Sequence, residues 1–186
     1  SGKIIFMGKE YVTPTIKEME NAGISFVHQE LNVINDLSVA DNIFLRKELK
    51  TKLGLIDEKE QIKKTKELFE SLGVEMNPSE MVSNLKTSEK QLLEICKALY
   101  SDAKLLILDE PTTALSNDEI DHLFGILNRL KKTGKSFVFI SHKMPEIFAI
   151  ADRYTVFRNG QFISRGNIKD VDAQKLTSDM VGVNYV

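Results

Sequence analysis

The segment Leu105-Leu106-Ile107-Leu108-Asp109-Glu110-Pro111-Thr112-Thr113 puts two adjacent carboxylates directly after an apolar run, and Ile140-Ser141-His142 follows further along. Such a run reads as a strand buried in a parallel sheet, and acids at its end stand at the carboxyl edge, where α/β folds bind ligands. These residue types suit metal and phosphate chemistry. One carboxylate can hold Mg²⁺, directly or through water, its neighbour can polarise an attacking water, and an imidazole from the next strand end can reach a transferred phosphoryl group. Gln29, after the apolar run Ile24 to Val27, adds an amide at another strand end. The usual companion of this set, a loop of the form G-x-x-x-x-G-K-[ST] that wraps phosphates, does not occur in the chain. Taken alone, Asp109-Glu110 also suits a helix start, where acids complement the helix dipole; the conjunction with Pro111-Thr112, His142 and Gln29 favours a site.

Alternating strands and helices must position these groups. Lys3 to Met7 reads as an edge strand turning at Gly8-Lys9, followed by a helix with Thr13 as cap, Pro14 in the first turn and Gly23 as stop. Ile24 to Val27 is the next strand. From Leu31 to about Tyr100 the periodicity is helical. Ser38 with Asp41 forms a capping box ahead of Ile43-Phe44-Leu45. Asp57 with Glu60 opens a helix striped by Ile62, Phe69 and Leu72 and closed by Gly73, and Thr87 or Ser88 opens an apolar one with Leu92, Leu93, Ile95, Cys96, Ala98 and Leu99. Strand Lys104 to Leu108, helix Ser116 to Lys132, strand Ser136 to Ile140 and a short helix around Pro145 to Ile150 follow. Ser116 and Glu119 form a capping box, and Ile120, Leu123, Phe124, Leu127 and Leu130 a core-facing stripe. Short connections between these elements predict parallel pairing with a right-handed crossover. Asn159-Gly160, between Tyr154 to Arg158 and Gln161 to Ile163, predicts a tight hairpin, and Val171 to Gly182 a helix with Leu176, Met180 and Val181 inward. The expected class is α/β: a mostly parallel sheet with flanking helices, its core formed by 1–30 and 101–186 around a helical subdomain at 31–100. No repeat, low-complexity tract or linker interrupts it.

With 42% apolar and 28% charged residues in 186, the chain has material for a sizeable core, which excludes disordered and fibrous classes. A formal charge of -2 leaves no excess of positive charge for a nucleic-acid backbone, and Lys63, Lys64 and Lys66 alternate with acids as on a solvated helix face, so no nucleic-acid partner is expected. Cys96, the sole cysteine, offers neither a disulfide nor a thiolate metal site and reads as a core residue in a reducing compartment. No apolar run approaches the roughly 20 residues that span a bilayer. No signal peptide is recognised, so membrane association is expected to run through a partner. His122, among Asp118, Glu119 and Asp121, receives no role, and Phe148, Phe157 and Phe162 read as packing residues.

This order of features resembles the ATP-binding-cassette (ABC) ATPases over nearly the whole chain. Val27-His28-Gln29-Glu30-Leu31, Asp41-Asn42-Ile43-Phe44-Leu45, Glu94-Ile95-Cys96-Lys97-Ala98-Leu99, Ile140-Ser141-His142-Lys143-Met144 and Val156-Phe157-Arg158-Asn159-Gly160 are most similar to the branch that imports ribose, galactose, xylose and related sugars. The resemblance implies a P-loop-NTPase-like fold, ATP and Mg²⁺ as cofactors, and ATP hydrolysis coupled to monosaccharide uptake. Partners implied are a second cassette (in tandem or as a dimer), a transmembrane permease and, indirectly, a sugar-binding protein, at the cytoplasmic face of the membrane. By position, Gln29 resembles the Q-loop glutamine, which touches Mg²⁺ and the attacking water, Asp109 the Walker B aspartate that holds Mg²⁺, Glu110 the general base and His142 the switch histidine. Leu85, Lys86, Thr87, Ser88 and Gln91 fall on the signature segment that grips ATP held by the opposite cassette, and Ser116 falls on the D-loop.

Two positions depart from the family pattern: lysine stands at 86, where the branch has serine, and serine at 116, where many members have aspartate. Ser1-Gly2-Lys3-Ile4 resembles a step just downstream of the phosphate loop, so that loop and the adenine-stacking aromatic are expected upstream of Ser1. The segment by itself is then expected to bind ATP poorly, to hydrolyse it negligibly, and to present an open sheet edge and apolar face that favour self-association. The alternative is a degenerate, non-hydrolysing cassette acting as an interaction module, favoured by Lys86 and the absent phosphate loop and opposed by Glu110 and His142. A soluble cassette of the translation or DNA-repair type lacks the Val-His-Gln-Glu-Leu and Phe-Arg-Asn-Gly segments.

Overall fold

A computed structural model describes residues 3–29, 31–101 and 103–182. Along the chain run strands β1 (Ile4–Phe6), β2 (Lys9–Tyr11), helix α1 (Ile16–Ala22) and β3 (Ile24–Val27). Helices α2 (Val39–Ile43), α3 (Glu58–Leu72) and α4 (Thr87–Tyr100) come next, then β4 (Leu105–Asp109), α5 (Asn117–Lys132) and β5 (Ser136–Ile140). The last elements are α6 (Met144–Ile150), β6 (Arg153–Arg158), β7 (Gln161–Asn167) and α7 (Ala173–Val181). Ser1, Gly2 and Glu30, to which sequence motifs were assigned, lie outside the described residues. The chain forms two compact units, Ser1–Ile140 and Ser141–Val186.

In the first unit β3, β4 and β5 pair in that order and in parallel, as the strand-helix-strand spacing predicts. The register aligns Val27, Leu108 and Phe139 in one row and Phe26, Ile107 and Val138 in the next. Successive side chains of a strand point to opposite faces, so the two rows lie on opposite sides of the sheet. Val27 and Leu108 are buried, with Leu106 beside them, and Phe139 meets Phe124 of α5 edge-on at 5.7 Å. Leu123, Phe124, Ile126 and Leu127 make the buried stripe of that helix. The other face is open, since Phe26, Val138 and Ile140 are 44%, 44% and 43% exposed. β1 and β2 form a separate antiparallel hairpin.

The helical stretch packs on Phe44, Phe69, Leu72, Val82, Leu93 and Ile95, with Phe44 edge-on to Tyr100 at 4.8 Å. Burial pushes the Cys96 thiol up to about 12, as suits an inert core residue. Gly73 ends α3 at φ 70, a left-handed value that costs glycine little. Three sequence expectations shift. Thr15, not Thr13, caps α1: its hydroxyl accepts the Glu18 N–H at 3.2 Å and the Glu18 carboxylate accepts the Thr15 N–H at 2.7 Å. Thr13 stands in the left-handed region at φ 48, away from the extended backbone a cap takes, and the helix begins two residues past Pro14. Ile62 is exposed, because Gln61 and Thr65 take the inward positions of α3. In the second unit Val181 is also exposed, while Asp179 turns inward to Lys175 and Ser164, whose ammonium and hydroxyl hold its carboxyl below the usual range.

That second unit pairs β6 with β7 around Asn159 (φ 51) and Gly160 (φ 73), both left-handed as a two-residue hairpin of matching twist demands. Leu176 of α7 and Val156 of β6 are buried, and Arg158 donates to the Asp179 carbonyl at 2.9 Å.

The uncovered face of the parallel sheet sets an expectation for the chain on its own. Val138→Lys should leave far-UV circular dichroism unchanged and reduce self-association in multi-angle light scattering. A wild-type chain that is already a monodisperse monomer contradicts this.

Candidate functional site

Parallel pairing brings the carboxyl ends of β3 and β4 to the same edge, and the residues just beyond them meet there. His28, Gln29, Asn32 and Asp109 line a hollow of about 380 Å³. Gln29 and Asp109, widely separated in sequence, are thus neighbours in space. The His28 ring lies against Phe26 at 4.3 Å. The loop after Gln29 is fixed by a buried amide: Asn42 accepts from the Ile34 N–H at 2.8 Å and donates to the carbonyls of Ile34 and Ser38, both at 3.0 Å. Lys97 of α4 donates to the Asn32 carbonyl at 3.4 Å and sits 3.8 Å from Glu94 on the same helix. Glu94 is buried; that burial pushes its carboxyl up, against the opposing pull of Lys97 and His28.

Glu110 turns the chain at the end of β4. Its φ of 47 is left-handed, a conformation costing a non-glycine residue about 1–3 kcal/mol and concentrated at functional sites. The turn is held from both sides, because the Glu110 N–H donates to the Ile140 carbonyl at 3.0 Å and the Glu110 carbonyl accepts from the Thr113 hydroxyl at 2.9 Å. Thr112 beneath is fully buried. Asp109 thereby stays on the strand end while Glu110 leaves the strand direction. The oxygen donors Asp109 and Gln29 suit a hard cation such as Mg²⁺, and no cluster of three or more His, Cys, Asp or Glu able to hold a metal occurs among the described residues. Mg²⁺ is the ion that settles for one or two protein ligands and takes the remainder from water and phosphate, so the donor set fits it.

Residues Leu85 to Gln91, whose sequence resembles a signature segment, run into the start of α4. Lys86 occupies the cap position, where an ammonium has no lone pair to accept a backbone N–H; Glu89 completes the end instead, accepting the Lys86 N–H at 2.7 Å. Lys86 and Thr87 are exposed, Leu85 and Ser88 are half-buried, and Gln91 is buried with its Nε2 lacking a hydrogen-bond partner among the described residues. Ser116 caps α5 through a reciprocal pair with Glu119: the Glu119 carboxylate accepts the Ser116 N–H at 2.8 Å and its hydroxyl at 2.9 Å. Those bonds, with a further one from the Ser88 hydroxyl, hold the Glu119 carboxyl below its usual range. Ser88 and Ser116 are therefore brought to one carboxylate.

His142 belongs to the second unit and is exposed. Around it the turn is rigid: Ser141 accepts the Lys143 N–H at 3.1 Å and donates to the buried Glu146 at 3.3 Å, and the Lys143 ammonium pairs with Glu146 at 3.0 Å. Sequence reading missed the supporting residues Asn32, Asn42, Glu94, Lys97 and Glu146. For Asn42, Glu94 and Lys97 the one available signal was their place in the segments Asp41-Asn42-Ile43 and Glu94-Ile95-Cys96-Lys97, which gave no hint of the loop beside them; Asn32 and Glu146 carried none.

A sequence profile described as ABC transporter matches residues 1–113, and the chain belongs to that family. It is 45% identical over 182 residues to a ribose import ATP-binding protein of Lacticaseibacillus paracasei, covering 98% of this chain and 36% of that protein. A galactose/methyl galactoside import ATP-binding protein of Pasteurella multocida is 41% identical over 181 residues, with 97% and 36% covered. The chain thus spans little more than a third of these relatives' length. Its fold is similar to that of an ATP-binding cassette solved as a dimer in a post-hydrolysis state with ADP and Pi, at a TM-score of 0.75 and 20% identity over 90% of this chain and 74% of that one.

Glu94 gives the site a pH signature. A carboxyl whose folded pKa lies above its ordinary 4.5 contributes stability that is complete below that value and lost as pH rises through the folded pKa. Glu94→Gln is expected to raise the thermal midpoint near neutral pH and to bring no gain at acid pH, by differential scanning calorimetry. Equal destabilisation at both pH values refutes burial as the dominant influence.

Proposed function

We propose that the intact protein carrying this chain is the ATP-hydrolysing subunit of an ABC importer of ribose-, galactose- or xylose-type monosaccharides. The observation that carries this reading is the meeting of Gln29 and Asp109 on one hollow, with Glu110 turned aside at the next residue by a strained, doubly held backbone. The identity to ribose and galactose import proteins over nearly the whole chain supports the sugar class.

In this mechanism Asp109 and Gln29 hold Mg²⁺, which when bound supplies positive charge to the phosphate oxygens. Glu110 accepts a proton from the attacking water, and the His142 imidazole contacts the transferred phosphoryl group. Leu85, Lys86, Thr87, Ser88 and Gln91 present the start of α4 to ATP on a second cassette, where helix N-terminal amides suit an anion. Ser116, capping α5, carries the loop between the two sites. The chain holds no G-x-x-x-x-G-K-[ST] loop, so backbone amides that cradle the phosphates have to come from elsewhere in the intact protein, and this chain by itself is inactive. Residues 31–100 act as a helical subdomain that presses on a transmembrane permease at the cytoplasmic face. A sugar-binding protein takes part through the permease, and no nucleic acid is involved. Among the described residues no helix is long and apolar enough to cross a membrane.

A second reading, a non-hydrolysing cassette that completes a partner's site, draws on Lys86 at a helix cap that its side chain cannot complete. One substitution separates the two. In the intact subunit assembled with its permease, Glu110→Gln is expected to lower ATP turnover by roughly 10²–10⁴-fold, the range for loss of a general base, while nucleotide binding persists. Unchanged turnover removes Glu110 from that role. A wild-type subunit that binds ATP and never hydrolyses it establishes the second reading instead.

A further inference from the structure

Between α2 and α3 the chain makes a short hairpin whose tip is apolar and whose flanks are basic. Leu53, Leu55 and Ile56 are 88%, 68% and 54% exposed. Lys50 and Lys52, both exposed, lie within the hairpin, exposed Arg46 and Lys47 precede it in the chain, and Glu48 is the one acid between residues 46 and 56. None of these four cations takes part in a salt bridge among the described residues.

The tip is also built. The Thr51 N–H donates to the Leu55 carbonyl at 2.8 Å, the Gly54 N–H to the Thr51 carbonyl at 2.9 Å, and Lys50 bridges Ile56 in antiparallel fashion. Gly54 makes the reversal at φ 81. At the base, the Asp57 N–H donates to the Leu49 carbonyl at 2.8 Å, and the Leu49 N–H to the side chain of Gln61 at 3.0 Å. Gln61 is itself buried and reaches Asp41 of α2 at 3.3 Å. Hydrogen bonds and a buried amide thus hold three aliphatic side chains out in water, the reverse of what burial alone would select.

We propose that this hairpin is a lipid contact: Leu53, Leu55 and Ile56 enter the headgroup boundary of an anionic bilayer while Lys47, Lys50 and Lys52 lie against its phosphates. Charge complementarity selects the anionic surface, since each lysine or arginine near it contributes about 1 kcal/mol, roughly fivefold in partitioning. Size selects lipid over protein. A stable protein interface needs about 800 Å² from each side around aromatic or arginine anchors, and one turn with three aliphatic side chains at its apex supplies neither. Insertion into lipid needs only an apolar edge with cations behind it, the arrangement of interfacial anchors. The inference does not depend on the catalytic reading, because no residue of the hairpin belongs to the site.

The test is flotation of the intact protein with vesicles of phosphatidylcholine alone or mixed with phosphatidylglycerol. Binding is expected to the anionic vesicles, to weaken several-fold at high salt, and to fall at least about tenfold in either Leu53→Ser/Leu55→Ser/Ile56→Ser or Lys47→Glu/Lys50→Glu/Lys52→Glu. Both variants alter exposed residues and should keep wild-type circular dichroism and basal ATPase activity. Variants that float like the wild type, or equal binding to neutral vesicles, overturn the proposal. Variants that weaken only the association with detergent-solubilised permease also overturn it, in favour of a protein contact.

Discussion

The parallel register of β3, β4 and β5 is the constraint on which the rest of the first unit depends. It sets Val27, Leu108 and Phe139 side by side, so that the strands end at one edge and the polar residues just past them share a surface. A slip of one residue would turn Asp109 to the opposite face and bury it against α5. The hydrogen bond from the Glu110 N–H to the Ile140 carbonyl extends this alignment past the last residue of β4, coupling the turn that carries Glu110 to the end of β5. The site is thus an extension of the sheet's own pairing, and a stable core on one face of the sheet keeps it in place.

Around that edge, buried polar side chains do the fine positioning. Asn42 satisfies three backbone groups of the loop after Gln29, an economical way of fixing a segment that has no regular structure of its own. Lys97, with Glu94 beside it, extends from α4 to the same loop, so a single helix joins residues 86–91 at its start to the loop beside the Gln29 hollow. Glu119 links the starts of α4 and α5 through Ser88 and Ser116.

Lys86 shows how local chemistry absorbs an unusual residue. Serine at a helix cap accepts a backbone N–H, whereas lysine has only donors to offer, yet α4 starts at Thr87 all the same. The other half of the capping box, Glu89, is sufficient to define the start, and the ammonium is left exposed to solvent. Its effect therefore falls on whatever meets the start of α4 and not on the stability of the helix.

Periodicity, caps and turn residues determined the strands, most helix limits and the Asn159-Gly160 hairpin, because these depend on neighbours within a few positions. Gln29, Asp109, Glu110 and His142 stood out in the sequence for a related reason: their residue types and order suit metal and phosphate chemistry. What sequence could not decide was which polar side chains turn inward. Gln61, Thr65 and Asp179 displaced the apolar residues expected there, and Asn42, Glu94 and Glu146 became buried supports, since burial of a polar group depends on a partner that only the folded chain supplies. Exposure of Leu53, Leu55 and Ile56 belongs to the same class. An apolar residue reads as core in any local pattern, and only the hydrogen bonds of the hairpin that bears it keep it in water.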